Sequence, residues 1–303
     1  MARLRVCLFG KLSLQSNGRP LPGFDARKLQ QLMCFLLLHR DHPQPREILA
    51  SLFWGDNSTD QSKKHLRQTL WQLQSTLARE FKPTDKSLLT VNPEWVGLES
   101  SADLWLDVAA FEAAFTPVQD LHGCDLDFEK ARLLEEAVQL YQGDLLEGWY
   151  DDWCLFERER LQNIFLAMLD KLMGHCEAHR QYETGIVHGT RILSFDHARE
   201  HTHRALMRLQ YLSGNRTASL RQYERCQTAL EEELGVKPAK STHLLYEQIK
   251  DDCTDDLTLF QTDTATQPDL TSRLEQIGKL LTQVKTATQH GLREIEFVMK
   301  RLR

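Results

Sequence analysis

The chain has 303 residues, of which 41% are hydrophobic and 26% charged. These values are typical of soluble globular proteins, and the length predicts about two domains. The longest uninterrupted apolar run, residues 32–38, is far shorter than the roughly 20 residues of a membrane span, and Gly10 and Lys11 interrupt any signal-peptide core. The seven cysteines include no CxxC pair, which predicts reduced thiols. Membrane, secreted and zinc-ribbon classes are therefore excluded, and we expect a cytoplasmic protein.

The net charge of −6 averages over three unlike regions. Residues 1–100 carry +5, residues 101–268 carry −14 and residues 269–303 carry +3. A basic N-terminal region followed by an acidic region is typical of a chain in which one domain binds a polyanion and another does not. Chance is the alternative explanation, because +5 over a hundred residues is modest.

The first hundred residues predict a small sheet, three helices and a terminal hairpin. Apolar and polar residues alternate from Leu4 to Leu14, and Asn17-Gly18 is a strong turn signal. At Ala26 the period becomes helical. The predicted helices span residues 26–40, 44–54 and 60–81, the second with Ile48, Leu49, Leu52 and Phe53 as its apolar stripe, and the predicted hairpin pairs 87–91 with 95–98. This order of elements predicts a winged helix-turn-helix.

The remainder is predicted to be almost wholly helical, with a linker at 254–269 and a final helix at 270–303. Arg180 and Arg216 match at an offset of 36, and Thr202-His203 and Thr242-His243 match at an offset of 40. Repeats of this size are typical of stacked helical hairpins of the tetratricopeptide type. The predicted helices span residues 127–141, 153–179, 182–193, 198–213, 217–234 and 241–251.

The final segment carries a heptad pattern that is weakest at Thr288 and Gly291. It predicts a coiled coil that makes the chain a homo-oligomer, most simply a dimer, or a helix that packs on its own chain. The core positions are Leu274, Ile277, Leu281, Val284, Ile295, Val298 and Leu302.

The third predicted helix has the composition of a helix that reads a DNA major groove. Leu66, Leu70, Leu73 and Leu77 form one narrow stripe that must face the core. Lys and Arg can neutralise phosphates, and Arg and Gln can bond base edges. The candidate contact residues on the opposite side are Lys63, Lys64, Arg67, Gln68, Trp71 and Gln72. A solvated helix face is the alternative, but the winged-helix order favours DNA.

Basic residues also stand at two other predicted helix starts. Arg27, Lys28 and Arg46 can clamp phosphates through their side chains and the helix N-termini together. Ordinary surface charge is the alternative.

Several motifs in series resemble one bacterial family. PREILASLFW (45–54) and LRQTLWQLQSTL (66–77) resemble the OmpR-like winged helix of the SARP-type transcriptional activators. DVAAFEAAF (107–115), GDLLEGWYDDW (143–153), ERERL (157–161) and EEELGVKPAKSTHLLYEQI (231–249) resemble the bacterial transcriptional activator domain of that family.

The resemblance implies a transcription factor that binds direct repeats upstream of a promoter and engages RNA polymerase. Departures from the family occur at Gln72, Gln74 and Ser75, where arginines are frequent, and at Glu94 in the hairpin tip. They favour weaker phosphate contacts and leave open an interaction scaffold whose winged helix binds no DNA. The fold class expected is mainly α: a winged helix-turn-helix at 1–100, a tetratricopeptide-like domain at 101–253 and a C-terminal helix.

Signatures of catalysis and of bound cofactors are missing from the sequence. The chain contains no GxxxxGK[ST], GxSxG or HExxH motif, so we expect neither an enzyme nor a cofactor. His175, Cys176 and His179 share a predicted helix, as do His197 and His201. Without partners at ligand spacing, solvated or hydrogen-bonded histidines are favoured over a metal site.

Overall fold

The computed structural model describes residues 4–80, 88–99 and 103–252. It begins with an antiparallel sheet of β1 (Leu4–Cys7), β2 (Ser13–Ser16) and β3 (Arg19–Pro20). Asn17 and Gly18 join β2 to β3 with φ values of 50° and 78°, and positive φ at both central residues is the geometry of a type I′ turn. The predicted small sheet and its turn are confirmed.

The winged helix follows in the predicted order. The bounds are α1 (Arg27–Leu38), β4 (Gln44–Pro45), α2 (Arg46–Trp54), α3 (Thr59–Glu80), β5 (Leu89–Val91) and β6 (Trp95–Leu98). β5 and β6 form the predicted hairpin, and β4 adds a third strand alongside β6. The pattern did not predict β4, because a two-residue strand ending in proline shows no alternation.

The predicted apolar stripe of α2 is partly wrong. Leu49 and Phe53 are buried, together with Ala50, whereas Ile48 and Leu52 are exposed. The helix has only nine residues, so a single face reaches the core and Ile48 and Leu52 lie outside it.

A fourth strand joins the N-terminal sheet from beyond residue 100. β7 (Leu104–Leu106) pairs parallel with β1, which gives the strand order β3-β2-β1-β7, and α4 (Asp107–Phe115) begins at the next residue. The buried Asp107 carboxylate accepts hydrogen bonds from the backbone N–H groups of Leu8 (2.7 Å), Phe9 (2.9 Å) and Val108 (2.7 Å). Burial raises the pKa of Asp107, and the three N–H groups counteract that shift.

Both parts of the chain share one core. A continuous cluster of buried apolar side chains extends from Leu4 to Ile192. The division at residue 100 stays a prediction, and the sheet and core cross it.

The helical region agrees with the predicted helices to within two residues at every end. The bounds are α5 (Phe128–Leu140), α6 (Asp152–Ala178), α7 (Tyr182–Leu193), α8 (Glu200–Leu212), α9 (Arg216–Leu234) and α10 (Lys240–Lys250). Consecutive helices from α6 to α9 pack against each other, as in stacked helical hairpins. His197 precedes α8, so the expectation that it shares a helix with His201 is wrong.

The repeat is real, but the predicted offset of its first pair is wrong. Arg180 and Gly214 both have left-handed backbones at the ends of α6 and α8, and α7 and α9 begin two residues later. The equivalent positions are thus 34 residues apart, the period of tetratricopeptide repeats. Thr202 and Thr242 are equivalent as predicted, since each is the third residue of its helix and fully buried.

The predicted linker and the heptad residues from Leu274 to Leu302 lie outside the described residues. Self-association through them stays a prediction.

Candidate nucleic-acid interface

The turn between α2 and α3 is fixed by hydrogen bonds to one carbonyl group. The carbonyl oxygen of Trp54 accepts the backbone N–H of Asn57 at 3.0 Å and the hydroxyl of Ser62 at 2.7 Å. Ser62 is buried, so its hydroxyl ties the first turn of α3 to the end of α2. The Trp54 and His65 rings stack with centroids 6.3 Å apart. The start of α3 is therefore held at a defined angle to α2.

The structure places the predicted reading residues together on the solvent face of α3. The four leucines of the predicted stripe are buried, and Lys63, Lys64 and Arg67 are exposed. Gln68 and Gln72 are also exposed, and 67% of the Trp71 surface is accessible. A large aromatic side chain in the middle of a polar helix face is a candidate contact for a partner rather than for the core.

A groove runs between the start of α2, α3 and the tip of the hairpin. The Arg46 backbone N–H donates to the carbonyl of Glu94 at 2.9 Å, and its guanidinium donates to the carbonyl of Asn92 at 3.2 Å. Arg46 therefore links α2 to the hairpin and lies beside α3. The residues lining this groove are Pro45, Arg46, Glu47, Asp60, Lys63, Leu66, Arg67, Pro93 and Glu94.

Carboxylates line the groove together with its cations. From the sequence, only the carboxylate of Glu94 was expected near the DNA contacts. Lys63 Nζ lies 2.8 Å from Glu47 Oε1, and this hydrogen bond holds the pKa of Glu47 below its usual range. The two residues are 16 positions apart in different helices, so the pair could be found only once the helix-turn-helix angle was known. The charge of Lys63 is thus partly neutralised by its neighbour.

Arg27 and Lys28 are not among the residues that line this groove. The Arg27 guanidinium lies 3.7 Å above the Trp149 ring and 3.6 Å from Asp151 Oδ2. Lys28 Nζ lies 6.0 Å from the Phe53 ring. Both cations start α1, but Arg27 faces the residues that precede α6, whereas Lys28 faces the end of α2. No local pattern predicted the contacts of Arg27, because its partners are more than 100 positions away in the chain.

His175 and His179, which lie one helical turn apart, each contact a backbone carbonyl group through Nδ1. His175 Nδ1 lies 3.0 Å from the Leu126 carbonyl, and His179 Nδ1 lies 2.9 Å from the His175 carbonyl. Within the described ranges, no three His, Cys, Asp or Glu side chains are grouped so that they could hold a metal ion. Trp149 and Trp153 are buried, so both are packing residues.

Comparison with known proteins finds a family that the helical part matches. Residues 106–250 match the family model of the bacterial transcriptional activator domain. The match covers just under half of the chain, and we call residues 106–250 the activator domain. The activator domain thus begins at the last residue of β7 and ends with α10.

Relatives that match over most of this chain are transcriptional regulators. The transcriptional regulatory protein MoaR1 of Mycobacterium tuberculosis is 24% identical over 247 residues, 80% of this chain and 78% of MoaR1. The transcriptional regulatory protein EmbR of Mycobacterium bovis is 24% identical over 255 residues, 82% of this chain and 63% of EmbR.

A solved structure shows the same fold. Mycobacterium tuberculosis EmbR in complex with a low-affinity phosphopeptide matches with a TM-score of 0.64, covering 93% of this chain and 71% of that chain at 18% identity. The predicted resemblance to the SARP-type activators and the mainly α fold are confirmed. The chain is related to regulators of transcription, a class that is typically not enzymatic. No described helix is long and apolar enough to cross a membrane.

Proposed function

We propose that the chain is a cytoplasmic, sequence-specific DNA-binding regulator that activates transcription from promoter direct repeats. In this proposal α3 enters the major groove, where Arg67, Gln68 and Gln72 read base edges and Trp71 contacts an apolar base surface. Lys63, Lys64 and Arg46 bind phosphates. The activator domain binds RNA polymerase or a second copy of the chain.

The exposed face of α3, opposite its buried leucine stripe, carries this proposal. Its polar and basic side chains stand beside the groove in which Arg46 joins α2 to the hairpin, so reading and clamping groups lie on one side of the winged helix. Arg27 and Lys28 have no role in DNA binding here, because neither lines the groove and Arg27 lies against Trp149 and Asp151.

The test uses the full chain and a duplex that the wild type selects from a random-sequence pool. Arg67→Ala should weaken binding by about 1–3 kcal/mol and relax base preference at one position. Arg132→Ala is the matched control, because Arg132 is an exposed cation on α5 paired with Glu129 and Glu136. Equal affinities of the two variants would reject α3 as the reading helix.

An interaction scaffold is the second candidate. The exposed Trp71 and the Glu47–Lys63 pair favour it, since an aromatic anchor and a partly neutralised cation suit a protein contact. It predicts that the wild type selects no duplex at low salt, while Trp71→Ala weakens a protein contact.

A further inference from the structure

Asp151 stands at the N-cap of α6, but its side chain does not cap that helix. An aspartate in this position usually accepts a hydrogen bond from the first turn of its own helix. Here the carboxylate makes no such bond. Its two oxygens instead lie 2.7 Å and 2.8 Å from Nε2 of Gln31 on α1, and Oδ2 lies 3.6 Å from Nη2 of Arg27. The carboxylate of the activator domain is thus directed at the winged helix.

The Gln31 side chain that donates to Asp151 is buried, so the loss of this hydrogen bond is costly. Gln31 is only 4% exposed, and within the described residues its Oε1 has no hydrogen-bond partner. Asp151 therefore accepts the hydrogen bond that the buried Gln31 amide group makes, and losing it would leave that amide unsatisfied. Two residues after Asp151, the Trp153 ring packs edge-on against Phe35 of α1 and Phe53 of α2, with ring centroids 5.6 Å and 6.2 Å apart.

The opposite end of α1 is held by a second ionic group of the activator domain. Arg40, just beyond α1, forms an ion pair with Glu112 of α4. Glu112 also pairs with Arg160 of α6 at 2.6 Å. Both ends of α1 are therefore bound to the activator domain, and α1 packs on α3 inside the winged helix.

We propose that Asp151 is a positioning residue for DNA recognition, which holds α1, and through α1 the reading helix α3, in one orientation relative to the activator domain. The inference rests on the proposed function. When the hydrogen bond between Asp151 and Gln31 is lost, α1 and α3 sample further orientations, and the apparent affinity falls with the fraction of time that they spend in the binding-competent one. A fall of that fraction to one fifth weakens binding about fivefold.

The experiment compares full-length Asp151→Ala with Asp152→Ala on the duplex selected by the wild type. Asp152 is the exposed neighbour on the same turn, so it matches the change in charge. We expect about fivefold weaker binding for Asp151→Ala and less than a twofold change for Asp152→Ala. Asp151→Asn should restore binding to within about twofold, because its amide can donate to Gln31 Oε1 and accept from Nε2. Hydrogen exchange in α1 should be faster in Asp151→Ala alone.

Wild-type or tighter binding by a folded Asp151→Ala overturns the inference. If Asp151→Ala does not fold, Gln31→Leu removes the same hydrogen bond from the other side, and unchanged binding by that variant overturns the inference equally. If the wild type selects no duplex, the proposed function is wrong, and the exchange rates of α1 alone then decide whether Asp151 holds the winged helix.

Discussion

The pairing of Glu47 with Lys63 sets a charge balance inside the proposed DNA groove. The carboxylate faces the same groove as Arg46 and Arg67, where phosphates would approach, and most of its surface is exposed. Replacing it with glutamine removes a repulsion and releases Lys63. We therefore predict that Glu47→Gln binds the selected duplex about threefold more tightly at low salt, with a steeper salt dependence.

Glu129→Gln controls for net charge in that binding experiment. Glu129 is equally exposed and also pairs with a cation, Arg132, but lies on α5. Equal gains in affinity from both substitutions would mean that Glu47 acts only through the net charge of the chain.

His203 makes the repeat region sensitive to acid. Its Nε2 lies 2.8 Å from the His197 carbonyl and its Nδ1 lies 2.7 Å from Gln222 Nε2, whose Oε1 is 3.4 Å from Arg225 Nη1. The neutral ring thus donates through Nε2 and accepts through Nδ1, and a proton on Nδ1 would oppose the Gln222 amide. Burial is the main cause that lowers the pKa of His203.

Because the folded-state pKa lies below the unfolded value of about 6.5, the unfolded chain binds the proton first as pH falls. The contribution of neutral His203 to stability is therefore complete above the unfolded-state pKa. It is lost as the pH falls from the unfolded-state pKa to the folded-state pKa. We predict that His203→Gln reduces the loss of unfolding free energy between pH 7.5 and 5.5 by on the order of 1 kcal/mol. Chemical denaturation at both pH values measures it. His243→Gln, at the equivalent but exposed position of α10, should leave the loss unchanged.

At the scale of elements, local patterns predicted what local forces determine. The leucine stripe of α3, the Asn17-Gly18 turn and the ends of the later helices follow from periodicity and turn chemistry within a few residues. The pairing of β7 with β1 and the hydrogen bond between Asp151 and Gln31 join residues about 100 positions apart, which no local pattern encodes. For the same reason the exposed face of α3 could be predicted from the sequence. The ion pair of Lys63 with Glu47 and the contacts of Arg27 with Trp149 and Asp151 could not.

The sheet is the element that ties the two sequence-predicted domains together. β1 lies between β2 and β7, and Asp107 holds the chain just beyond β1 through two backbone N–H groups. Without residues beyond 100, β1 would become an exposed edge and part of the buried cluster would be uncovered.

We therefore predict that residues 1–100 alone do not unfold cooperatively, in contrast to residues 1–196, which contain the whole cluster from Leu4 to Ile192. Thermal melts followed by circular dichroism compare the two fragments. A cooperative transition of the shorter fragment would show that the winged helix is an independent domain and that β7 is dispensable.

At the scale of the whole molecule, the charge of each region matches the role proposed for it. The basic first hundred residues contain the α3 face, and the strongly acidic region that follows contains the activator domain, which is unsuited to contact with DNA and suited to protein partners. Direct repeats offer two neighbouring sites, and two linked copies of a chain bind such sites more tightly than separate copies do. The heptad of residues 270–303 would supply that link.

We predict that the full chain is a dimer and that cutting it after residue 268 gives a monomer, as measured by light scattering. Leu281→Asp should have the same effect, because a charge at a core position of a coiled coil is desolvated. Gln283→Asp, two residues on and outside the core positions, adds the same charge and should leave the dimer intact. If neither the truncation nor Leu281→Asp changes the number of chains per particle, the heptad does not hold the dimer together. Cooperative binding to direct repeats must then come from the winged helices or the activator domains.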